Sequence, residues 1–173
     1  MLFCVSSNVF ANFLVLAGES RINEDRITHE AELQLALSDD VVTAITKGIE
    51  IRLVYDFRLL RIRPVIWDDE IAAWKFSVRI KYHGLSNSFI LENDYTGKLD
   101  TFDSIRDVLD DLSRFRVSVP IVGSTLPQSD SGYRMAFKIE LDKNALPPPL
   151  KLLVEISPTW DLASSWKQWP VIQ

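Results

Sequence analysis

"IEIRLVYDFRLLRIRPVIWDDEIAAWKFSVRIKYH", residues 49–83, decides the fold. In its first half Ile49, Ile51, Leu53, Tyr55, Phe57 and Leu59 alternate with Glu50, Arg52, Asp56 and Arg58. In its second half Trp74, Phe76, Val78, Ile80 and Tyr82 alternate with Lys75, Ser77, Arg79 and Lys81. A period of two is the signature of a strand with one buried and one wet face. "PVIWDDE" (64–70) turns the chain between them, so the pair reads as an antiparallel hairpin. The phase slips at Leu59-Leu60, where a bulge or the end of pairing is expected.

Working outward, the same alternation recurs. Ala31, Leu33, Leu35 and Leu37 mark a strand upstream. Ser38 then caps a short helix carrying Val41, Val42 and Ile45, which stops at Gly48. Downstream, "SFILEN" (88–93) is a strand and "DYTGK" (94–98) a Gly-containing turn. Asp103 is the expected cap of a second helix, with Ile105, Val108, Leu109 and Leu112 on one face. "RVSVPIV" (116–122) reads as an edge strand, because Pro120 has no N–H to give a ladder. Tyr133, Met135, Phe137, Ile139 and Leu141 form a last alternating strand. The expected class is therefore mainly β, an antiparallel β-sandwich of immunoglobulin or C2 outline with one or two short helices. The alternative is an α+β sheet with helix 103–114 across it.

The 173 residues suffice for one domain with a sizeable core. A net charge of -5 excludes the basic background usual in nucleic-acid binders. One cysteine, Cys4, rules out a Cys-based zinc site and an internal disulfide, and with two histidines no metal or cofactor is expected. Residues 1–20 are expected to hold the tail of an export signal, on the strength of the apolar "MLFCVSSNVFANFLVLAGE" and of Val9-Phe10-Ala11. A first strand over 12–17 is the alternative; residues 21–173 are then a single mainly β domain.

Catalytic spacing is sparse: there is neither a glycine-rich phosphate loop nor a GxSxG serine. His83 lies in "YHGLS" (82–86) with Ser86 nearby; the pair is either a general base with its serine or a hydrogen-bonded turn. Asp68, Asp69 and Glu70 sit at the hairpin tip without the spacing of a calcium loop. Beside them Val65, Ile66 and Trp67 must be covered by the fold, a partner or a membrane interface. Arg52, Arg58, Lys75, Arg79 and Lys81 share the wet face of the hairpin, either as solvated charge or as an attractor of anions. In "LPPPLKLLVEISPTWDLASSWKQWP" (146–170) three prolines stiffen a tail whose "LKLLVEI" fits helix or strand alike. Trp160, Trp166 and Trp169 in it read as a lid over the core, with an exposed interface belt as competitor.

"RLLRIRPVIWDDEIAAWK" (58–75), "IKYHGLSNSFILEN" (80–93) and "ALPPPLKLLVEISPTWDLASSWKQWP" (145–170), three separate motifs in order along the chain, resemble the Gram-negative bacterial family known as domain of unknown function 4390. Phe89 stands where members often carry tyrosine. The resemblance implies an exported, periplasmic or membrane-associated protein and no particular reaction. The function expected from the sequence is thus a non-enzymatic binding, regulatory or accessory module of the cell envelope. Its partner would be an envelope protein or a membrane surface, met through Arg58, Arg61, Trp67, Asp68, His83, Trp166 and Trp169. The rivals are a hydrolase-like enzyme using His83 and a structural subunit of an envelope complex.

Overall fold

The computed structural model describes residues 12–23, 25–64, 67–121 and 132–172. Strand β1 (Phe13–Asn23) turns into β2 (Arg26–Leu35), and helix α1 (Asp39–Thr46) follows. The expected hairpin is β3 (Ile51–Arg61) and β4 (Asp69–His83); β5 (Ser88–Asn93) and β6 (Leu99–Phe102) come next. Helix α2 (Ile105–Leu112) leads to β7 (Arg114–Pro120). The tail holds β8 (Tyr133–Leu141), α3 (Pro148–Glu155) and β9 (Lys167–Ile172).

The nine strands form one sheet in the order β6-β5-β4-β3-β8-β9-β1-β2-β7. Its neighbours run antiparallel except β1 and β9, which are parallel. The expected mainly β, mostly antiparallel class holds. An immunoglobulin or C2 outline is not established by this order, because the apolar faces meet through the curling of a single sheet. Phe115 on terminal strand β7 stacks on Tyr55 and Phe57 of central strand β3, with ring centroids 4.5 and 5.2 Å apart. The inward residues of β3, Ile51 to Leu59 in steps of two, are fully buried in the resulting core. Curling lets a strand with one apolar face bury it against another part of the same sheet.

The helices close the structure. Ser38 caps α1 by accepting the Val41 N–H at 3.3 Å, and Val41 and Ile45 go into the core. Gly48, at φ 88°, ends that helix in the left-handed region where a side chain would be strained. The cap of α2 is Ser104 rather than Asp103: its hydroxyl accepts the Asp107 N–H at 3.2 Å and donates to the Asp107 carboxylate at 2.7 Å. Asp103 lies one residue before this cap and makes no cap hydrogen bond among the described residues. Val108 and Leu112 of α2 are buried, and the helix touches β2, β5, β6 and β7.

The hairpin bulge is present. Leu59 pairs with Ala72 but Leu60 with Glu70, so the extra residue is Ile71 on β4, while β3 keeps unbroken register with β8. Strand β7 pairs only with β2 among the described strands, as Pro120 suggested. The tail departs furthest from expectation. "LKLLVEI" is mostly helix, in α3, and β9 is an internal strand between β8 and β1 rather than a lid. Pro170 is tolerated there because β9 pairs with β8 up to Pro170 and with β1 from Val171 onward. Its missing N–H falls where one ladder hands over to the other.

Candidate functional site

The β3–β4 tip gathers charge around an exposed ring. Arg61 and Arg63 each donate to the Asp69 carboxylate at 2.6 Å. Asp68 takes Arg134 of β8 at 3.3 Å and the Arg63 backbone N–H at 3.4 Å. The hydrogen bond from Arg61 holds the Asp69 carboxyl below the usual carboxylate range, against partial desolvation and with help from Arg63. Trp67, beside this cluster, is 91% exposed. The fold therefore does not cover it. Val65 and Ile66 lie outside the described residues.

A few residues along β3, on its outer face, Arg58 stands over the Trp166 ring at 4.6 Å and reaches Asp56 and Glu70 at 3.3 and 3.4 Å. Trp166 is 42% exposed. Arg134 also donates to Gln168, the next residue of the tail but one, at 3.2 Å. So β3, β4, β8 and β9 bring Arg58, Arg61, Trp67, Asp68 and Trp166 to one end of the sheet. The two other candidates lie elsewhere. His83 is at the far end of β4, and Trp169 is buried, pointing to the inner side of β9.

His83 Nδ1 lies 2.8 Å from Ser86 Oγ, which lies 2.6 Å from Ser88 Oγ. The three form an exposed turn, and among the described residues no carboxylate bonds the imidazole. The cationic row does share one face, but carboxylates interleave it. Lys75 meets Asp56, Arg79 meets Glu92 and Asp94, and Lys81 meets Glu50 and Glu92. Such a face has little net charge with which to attract an anionic surface. Among the described residues no cluster of three His, Cys, Asp or Glu could hold a metal ion. No helix there is long and apolar enough to cross a membrane.

Sequence reasoning missed a buried polar chain. Trp169 Nε1–H donates to Ser20 Oγ at 2.9 Å, and Ser20 Oγ lies 3.0 Å from His29 Nδ1. The Ser20 hydroxyl and His29 Nδ1 share one hydrogen bond, so the serine oxygen joins the indole to the imidazole. Nε2 has no hydrogen-bond partner among the described residues; the ring stacks on Phe57 at 4.8 Å and leans on Trp74 at 5.4 Å. Burial pushes the His29 pKa down to about 4. Both Ser20 and His29 are fully inaccessible, so the pair is a structural tie and offers no nucleophile to solvent. It links β9, β1 and β2 where the parallel ladder has only the pairs Ser20–Val171 and Arg21–Ile172. The signal was present: His29 falls in phase with Ile27, Ala31 and Leu33, hence on the buried face.

Compared with known proteins, residues 18–170 match a family model described as "Domain of unknown function (DUF4390)". No curated protein and no solved structure matches the chain.

Proposed function

The chain belongs to the family described as Domain of unknown function (DUF4390), and we propose that it acts as a non-enzymatic binding module of the cell envelope. The observation that carries this reading is Trp67, a nearly fully exposed indole at the tip of the longest hairpin. Tryptophan and arginine are the residues that most often dominate a binding interface. Here the two residues that follow Trp67 are tied down, Asp68 by Arg134 and Asp69 by Arg61 and Arg63. An anchor on a pre-ordered base loses less side-chain freedom on binding. The ion-paired outer face favours a protein partner over an anionic membrane. Export, implied by the family resemblance, is part of the proposal.

A photo-crosslinking amino acid at position 67 in cells tests it. One dominant adduct in the envelope fraction, from protein with a processed N-terminus, is the expected result. Vesicle binding without an adduct would replace the protein partner by a membrane. An unprocessed cytosolic protein would sink the envelope assignment. The His83–Ser86 contact favours a second, hydrolytic reading. His83→Ala separates the two, since a binding module keeps its adduct and an enzyme loses its turnover.

A further inference from the structure

The curl of the sheet leaves a seam. On one side runs β7, whose second edge is unpaired among the described strands. On the other stands the turn between β5 and β6. A cavity of about 160 Å³ lies in the seam against Tyr55, Val78, Leu91 and Phe115. A second, of about 230 Å³, lies against Phe76, Tyr95, Thr96 and Val117. Both are lined by Val78, Asn93, Phe115 and Arg116, so they are neighbouring parts of one groove. The turn that walls it is ordered: Asn93 Oδ1 accepts the N–H groups of Tyr95 and Thr96 at 3.0 and 3.1 Å.

The ladder fixes which backbone groups face the groove. The Leu33 N–H bonds the Ser113 carbonyl at 2.7 Å, and Glu32 is the register partner of Arg114. In an antiparallel pair this marks Glu32 and Arg114 as a pair not hydrogen-bonded to each other. By alternation Phe115 and Val117 direct their backbone groups to β2, and Arg114 and Arg116 direct theirs to the open edge. Towards the end of the strand this edge is blocked: Arg26 bonds the Ser118 carbonyl at 2.7 Å, and Pro120 has no N–H. The open stretch is thus Arg114 to Val117.

We propose that this groove binds an extended segment of a partner protein, added as a strand to β7, with alternating acidic and apolar residues. Side chains of an added strand alternate between the two faces. Those turned inward would meet Phe115, Val117, Phe76 and Tyr95, with room for one aromatic ring. Those turned outward would meet Arg114 and Arg116. Arg114 has no ion-pair partner among the described residues, and Arg116 is mostly exposed although it meets Glu30 at 3.0 Å. The same charges argue against a second copy of this chain, because pairing two β7 edges would place arginines of both copies on one face.

Amide hydrogen exchange with a short synthetic peptide tests this. The peptide alternates glutamate with valine around one central phenylalanine. Bound peptide should slow exchange at Arg114 and Arg116 and leave Phe115 and Val117, already bonded to β2, unchanged. Arg114→Glu should weaken binding about tenfold, and a peptide with lysine for glutamate should not bind. Arg116→Pro, which deletes an edge N–H outside the β2 ladder, should abolish the protection with the far-UV circular dichroism preserved. Should that variant unfold, Arg114→Glu with the exchange pattern decides the matter. No protection at millimolar peptide, or equal binding of the lysine peptide, overturns the proposal. Protection that appears on concentrating the protein alone also overturns it, in favour of self-association.

Discussion

His29 shows how a single side chain makes stability depend on pH. In the unfolded chain its imidazole titrates near 6.5, and in the core near 4. Between these values the unfolded chain binds the extra proton. Its contribution is therefore complete above about pH 6.5 and is lost as pH falls towards 4, by about 3 kcal/mol in all. Urea titrations at steps across that window should show the decline, and His29→Leu should flatten it. Equal slopes in both proteins would remove His29 as the cause. Gly18 is the second such residue. A Cβ there would overlap the ring of Trp169, which lies across β1. Gly18→Ala should destabilise by about 1–3 kcal/mol through overpacking. The loss should shrink in a Trp169→Leu background, and a double-mutant cycle with no coupling would refute the contact.

At the scale of elements, α2 offers a sharp comparison. Ser104 makes the cap hydrogen bonds, whereas Asp103 makes none that is seen among the described residues. Ser104→Ala should cost about 1 kcal/mol, and Asp103→Ala much less. Thermal melts of the two variants rank them directly, and a reversed order would restore Asp103 as the cap. The hairpin carries a related lesson. The slip at Leu59-Leu60 correctly placed a bulge, but the extra residue is Ile71 on the partner strand. One strand's pattern records that a register breaks. It does not record which partner absorbs the break, since β3 must also stay in step with β8.

At the scale of the whole molecule, β9 joins the two parts of the sheet. It pairs with β8 through residues 167–170 and with β1 through Val171 and Ile172. Trp169 plugs the inner side of that junction, its ring 6.1 Å from Phe137 and its N–H on Ser20. Deleting residues 167–173 should therefore abolish cooperative unfolding rather than trim a tail. Calorimetry of the shortened chain would show a broad or absent transition. A sharp one near the full-length melting temperature would mean that β9 is dispensable.

Strands β3, β4, β5 and β8, the edge character of β7 and the cap of α1 were all legible in the sequence. Each depends on a local rule: alternation of period two, a missing proline N–H, a serine before a helical face. The place of Trp67, Asp68 and Asp69 at the tip of the hairpin was legible for the same reason, but that the fold leaves Trp67 uncovered and ties both carboxylates to arginines was not. What tertiary structure alone decided is non-local. "KQWPVI" carries a proline and weak alternation, and it becomes an internal strand only because β8 and β1 each offer it part of an edge. The facing of β7 on β3 comes from the curl, which accumulates over the six twisted strands from β3 to β7 and appears in no single segment. The tie of Trp169, Ser20 and His29 spans 149 positions between its first two members. No spacing rule reaches that far; only the closing of the sheet brings them within a hydrogen bond.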